Sequence, residues 1–120
     1  MRVYISGKIT GLKEKEYIAK FVEAEHMLRE HGHEPVNPII IGMYNVPYDK
    51  CLEMDKILLS TCEAIYMLSD WKNSKGAKQE KRYAESLGLK IMFENNEDEM
   101  EDGISKMFAR FKKKRARAQI

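Results

Sequence analysis

The chain has 120 residues, 43% hydrophobic and 33% charged, which suits one globular domain and argues against global disorder. No apolar run approaches ~18 residues, so no transmembrane helix is expected, and MRVYISGKITG lacks the apolar length and small-residue site of a signal peptide. A net charge of +2, from 21 basic and 19 acidic residues, is not the signature of a general polyanion binder.

Residues 2–5 read as a short buried strand, followed by the loop Ser6-Gly7-Lys8-Ile9-Thr10-Gly11. From about Lys15 to His31, the apolar positions Tyr17, Phe21, Ala24 and Leu28 recur at helical spacing, and Gly32 can close that helix in a left-handed cap. Pro35-Val36 is extended, and residues 39–47 read as irregular. A second helix is predicted from about Tyr48 to Thr61. Ala64 to Leu68 is an apolar run of strand length, ended by a polar loop from Ser69-Asp70 through Gly76. Residues 77–87 are helical in pattern, with Gly88 as the stop, and residues 89–93 are a further strand.

The end of the chain divides by charge. Glu94, Glu97, Asp98, Glu99, Glu101 and Asp102 precede the apolar stripe Met100, Ile104, Met107, Phe108 and Phe111. Arg110, Lys112, Lys113, Lys114, Arg115 and Arg117 follow. Acids first and bases last match a helix macrodipole, so residues 97–120 read as an amphipathic helix with a basic tail. A nucleic-acid arm is the alternative, but only Phe111 stands near the charges as an aromatic.

Strands alternating with helices predict a single α/β domain over residues 1–96, a parallel sheet with helices on both faces. Such sheets bind ligands beyond the carboxyl ends of their strands. Two loops leave those ends, Ser6–Gly11 and Ser69–Gly76, and both can offer N–H groups and hydroxyls to a phosphate. Cys51 and Cys62 form no CxxC pattern and are expected as free, buried thiols in a reducing cytoplasm. With His26, His31 and His33 they make no ligand spacing, so neither metal nor cofactor is expected.

Two acids stand on the wrong faces. Glu80 falls in the middle of the stripe Ala77, Ala84, Leu87, near the start of its helix, whose positive end would favour the ionised form. Asp55 falls in the middle of the stripe Cys51, Leu58, Cys62. A carboxylate seldom goes inside without a partner, so each is either a local cap or ion pair, or part of a shared polar pocket. Paired carboxyls divide the work of glycosyl transfer into nucleophile and proton donor. Glu25, beside Phe21, Ala24 and Leu28, reads as structural.

YISGKITG at 4–11, FxxAExxL at 21–28, VNP at 36–38, MDxxLLxxC at 54–62 and DWxxSxGAxxExxxAxxLG at 70–88 resemble the nucleoside 2-deoxyribosyltransferase-like family, including its DUF4406 group. The resemblance covers residues 1–93 and implies a Rossmann- or flavodoxin-like fold and chemistry at the N-glycosidic bond of deoxynucleosides or their 5′-monophosphates. It implies Glu80 as the nucleophile on C1′ and Asp55 as donor to the leaving base or as a group orienting the sugar. It also implies that Ser6, Gly7, Lys8, Ile9 and Gly11 line the sugar and phosphate side, and that the sites of a homodimer or higher homo-oligomer are completed by a neighbouring subunit.

Trp71 is expected either to stack on a base or to cover the sheet end. Lys8 reads as a phosphate contact or a surface residue, and Asn37 as a cap or a shaper of the pocket loop. The family commonly has Cys-Asp where this chain has Cys62-Glu63, a mild change. Its free-nucleoside transferases place an acid where this chain has Ser74, whereas the related 5′-monophosphate N-hydrolases have Ser there. Ser74 and the N–H of Gly76 could hydrogen-bond a phosphate that a carboxylate would repel. The expected activity is therefore cleavage of 2′-deoxynucleoside 5′-monophosphates. A base-exchanging transferase and a non-catalytic nucleotide- or partner-binding protein are the alternatives.

Overall fold

The computed structural model describes residues 1–103. Among them, β1 (Arg2–Ser6), β2 (Glu34–Val36), β3 (Ala64–Met67) and β4 (Lys90–Phe93) form one parallel sheet in the order β2-β1-β3-β4. The connections carry α1 (Glu14–Glu30), α2 (Ile39–Gly42), α3 (Tyr48–Ser60) and α4 (Lys75–Ser86), with a short 3₁₀ turn, Trp71–Asn73, ahead of α4. This is the expected α/β architecture.

The two-residue period of the strands makes two cores. Val3, Ile5, Ala64 and Tyr66 face α1 and meet Phe21, Ala24 and Leu28. Tyr4, Ile65 and Met67 face the other way and meet Leu59 of α3 and Ala77 and Ala84 of α4. Helices thus cover both faces, which is why β3 is buried at every position. Each fully buried side chain such as Phe21, Leu28 or Leu59 contributes roughly 1.5–3 kcal/mol of hydrophobic stabilisation. From β1 the chain runs outward to β2 and then returns to place β3 on the opposite side. That reversal opens a crevice at the carboxyl ends of β1 and β3, where α/β sheets hold their ligands.

Most element ends fall within a residue or two of expectation. Gly32 and Gly88 take positive φ, +81° and +73°, and end α1 and α4 where glycine has no Cβ to strain. Residues 39–42, expected as irregular, form α2 instead. Asn37 Oδ1 accepts the Ile39 N–H (3.3 Å), and Ile39 and Ile41 are buried. The expected stripe of α4 also needs correction. Leu87 is 43% exposed, and Lys81 lies inside, its ammonium on Glu85 (2.6 Å) and Asp102 (3.0 Å).

After β4, Asn95 Oδ1 accepts the Glu97 N–H (3.0 Å), and residues 96–103 are helical. The rest of the expected terminal helix, from Ile104 onward, and the basic tail Arg110–Arg117 lie outside the described residues. No helix among the described residues is long and apolar enough to cross a membrane. Cys51 and Cys62 are free thiols, the second buried.

Candidate active site

The alternation that buries Tyr4 on the α3–α4 face puts Ser6 on the same face, at the carboxyl end of β1. Both side chains reach one carboxyl. The Tyr4 hydroxyl donates to Glu80 Oε2, and the Ser6 hydroxyl donates to Oε1 (2.9 Å). Glu80 comes from the second turn of α4, and Asp55 comes from α3 alongside. The two stripe-breaking acids therefore meet over β1, beneath a cavity of about 450 Å³ that they help to line. That size is in the range of small-ligand sites.

Burial governs their ionisation. Desolvation, with Asp55's charge added, pushes the Glu80 carboxyl up from 4.5 to about 7, against the opposing pull of the Tyr4 and Ser6 donors. Burial likewise raises Asp55 from 3.8 to about 6, with the Tyr4 hydroxyl pulling the other way. Tyr4 is itself raised well above 10, by burial first and then by the two carboxylates. The expectation that the helix end would keep Glu80 readily ionised is thus corrected. The field of a helix end fades within its first turn, and Glu80 is the sixth residue of α4. The charge on Asp55 thus makes ionisation of Glu80 harder.

The cavity walls are the two loops that leave β1 and β3. Gly7, Lys8 and Ile9 form one side, and Ser74 and Gly76 form the other with Asn73 and Lys75. Gly7 is required by packing, since a Cβ there would lie 2.6 Å from Leu68 Cδ1 and 2.9 Å from Leu68 Cβ. Ser74 caps α4 by accepting the Ala77 N–H on Oγ (3.1 Å), which leaves its own hydroxyl proton to donate. Tyr48 and Leu52 of α3 complete the lining.

Of the residues singled out from sequence, Glu80, Asp55, Gly7, Lys8, Ile9, Ser74 and Gly76 line this cavity, and Ser6 joins it through Glu80. Three do not line it. Gly11 (φ +88°) turns the loop behind it. Asn37 donates to Glu25 Oε2 (3.5 Å) and starts α2. Glu25 also holds Arg29 (3.1 Å), in keeping with a structural role. Trp71 packs on Phe93 with ring centroids 5.9 Å apart, and its Nε1–H donates to Asp98 (3.1 Å). It covers the sheet end rather than offering a face to a base.

Sequence reasoning missed Tyr4, which reads as core in an apolar strand; its two-residue offset from Ser6 was the available signal. It also missed Asp70, whose carboxylate accepts the Lys8 N–H (3.0 Å) and pairs with Lys20 (3.0 Å), tying the two loops together. Among the described residues no group of three or more His, Cys, Asp or Glu is placed to hold a metal ion.

The model of a family described as a domain of unknown function, DUF4406, matches residues 1–93. Among curated proteins nothing matches. Among solved structures, the chain is similar to the CMP N-glycosidase BcmB of Clostridium botulinum, with 19% identity and a TM-score of 0.56 over 78% of this chain and 67% of that one. At that identity the likeness is one of fold.

Proposed function

The chain belongs to the DUF4406 family, and on that premise we propose that it cleaves the N-glycosidic bond of 2′-deoxynucleoside 5′-monophosphates. The observation that carries the reading is the pair of desolvated carboxyls, Glu80 and Asp55, lining one cavity with the loops that leave β1 and β3. Glu80 attacks C1′ as the C1′–N bond breaks, and Asp55 gives its proton to the departing base. Water then adds to C1′, returns a proton to Asp55 and frees Glu80. This needs the proton on Asp55 and the charge on Glu80, the reverse of their order in the free site, where Asp55 at about 6 is more acidic than Glu80 at about 7. The bound substrate must therefore shift the proton, and the two hydroxyls donating to Glu80 hold its charged form once it is made.

A phosphate fits the opposite wall, where Ser74 and Gly76 open α4 and Lys8 and Lys75 stand near. The nucleoside monophosphate named for the Clostridium botulinum protein supports that choice over a free nucleoside. The expected homo-oligomer has an apolar surface available beside the site, where Ile40, Met43, Tyr44 and Ile57 of the α2–α3 side are exposed. The two free thiols suit a cytoplasmic setting.

The test is incubation of the full chain with each deoxynucleoside 5′-monophosphate and with CMP, with and without a second free base, followed by chromatography. Release of base without exchange is the expected result. Base exchange would move the transferase to first place, and binding without turnover would leave a nucleotide-binding protein.

A further inference from the structure

The wall that carries Ser74 is held from behind by residues that never touch the cavity. Trp71 serves both ends of this connection. Its carbonyl accepts the Ser74 N–H (3.1 Å), while its indole N–H donates to Asp98 (3.1 Å) in the helical segment after β4. Asp98 is only 5% exposed, although sequence places it in a run of acids that would ordinarily be solvated. Its second oxygen takes the Lys72 ammonium (2.7 Å), so one buried carboxylate binds two consecutive residues of the 3₁₀ turn. The Lys81 ammonium lies 5.4 Å from the centre of the Trp71 ring and is itself bonded to Glu85 and Asp102. On the front side Asp70 fixes the same turn to the Lys8 N–H.

We propose that Asp98 and Trp71 are positioning residues that hold the Ser74–Gly76 wall in the geometry the substrate requires. Neither reaches the cavity; they act through the Trp71 carbonyl and the turn, which set where Ser74 caps α4. A charge-assisted, nearly water-free bond to an indole N–H fixes a rigid ring, and a misplacement of about 1 Å at a binding wall can cost up to about a hundredfold. The kinetic part of this inference rests on the N-glycosidase reading; the structural part does not.

The experiment compares the full-length chain with Asp98→Asn, Trp71→Phe and Asp98→Glu. Amide hydrogen exchange is read residue by residue, first without substrate. In the first two variants the Ala77 and Lys78 amides, bonded to Ser74 Oγ and Ser74 O, exchange roughly tenfold faster. Those of Ile5 and Ile65 stay as they were, and Asp98→Glu recovers part of the protection. Trp71→Phe keeps an aromatic ring on Phe93 and so decides the matter if Asp98→Asn does not fold. With nucleotide, KM rises about tenfold or more while kcat stays within about twofold. Unchanged exchange at Ala77 and Lys78 would overturn the proposal, as would equal acceleration at Ile5 and Ile65. Faster exchange with an unmoved KM would overturn it too. If the wild type cleaves no nucleotide, the proposed function fails, and the exchange comparison still decides whether Asp98 holds the wall.

Discussion

Replacing Glu80 by Gln should remove activity and, above pH 7, stabilise the protein. The carboxyl is raised from 4.5 to about 7 by burial. Below pH 4.5 it is protonated in both folded and unfolded chains and has no differential effect. Between 4.5 and 7 the unfolded chain loses the proton while the folded protein keeps it. The folded state binds more protons in that window, so stability falls as pH rises through it, and the penalty is complete above 7. At 1.36 kcal/mol per pH unit the full penalty is about 3 kcal/mol. Glutamine can accept from Tyr4 and meet Ser6 without a charge, so this penalty disappears in the variant. Packing and hydrogen-bond differences that do not titrate cancel when the two proteins are compared across pH. Urea or thermal unfolding at intervals from pH 4.5 to 8 should show the Glu80→Gln protein gaining about 3 kcal/mol on the wild type, or about 10 °C in Tm for a domain of this size. Turnover should fall by at least ~10³ in the same samples. Parallel stability curves across that range would refute the claim that the carboxyl is desolvated. Near-normal turnover would refute its role as nucleophile.

Asp55→Asn should lower turnover by roughly 10²–10⁴ with natural bases and much less with activated leaving groups; equal losses for both would exclude proton donation. Ser74→Asp should abolish a preference for the 5′-phosphate, lowering nucleotide affinity by roughly one to three powers of ten while sparing the free nucleoside. Aspartate also caps helices well, so α4 should keep its start, and kcat/KM for a nucleoside and its monophosphate gives the comparison. Gly7→Ala should cost roughly 1–3 kcal/mol, because its Cβ would press on the buried Leu68, and unfolding curves would show it. A neutral outcome would mean that the loop can withdraw from Leu68.

The order of strands and helices was legible because each element is built from local periodicity. Phe21, Ala24 and Leu28 mark one face of α1, and the apolar run Ala64 to Leu68, of strand length and bounded by a polar loop, contains the strand buried on both faces. Glu80 and Asp55 were legible for the same reason, since an acid in the middle of an apolar stripe is conspicuous on a helical repeat. That they meet each other is not a local property. It depends on α3 and α4 packing side by side over β1, and on Tyr4 and Ser6 donating to Glu80 from the strand. Tyr4 was invisible in the chain because a tyrosine in an apolar strand has the pattern of core, and only the packed structure gives its hydroxyl a partner. Leu87, expected on the buried stripe, is exposed while Lys81 is buried, because burial around α4 is set by neighbouring elements, where Glu85 and Asp102 can neutralise a lysine. Asp98 reads as one of the acids that open a terminal amphipathic helix, and Trp71 reads equally as a base-stacking residue or as a cover for the sheet end. Their bond spans 27 residues, and no sequence period encodes a contact of that range. Periodicity fixes which face of an element is apolar, whereas the partner of a polar group on that face is decided by tertiary packing.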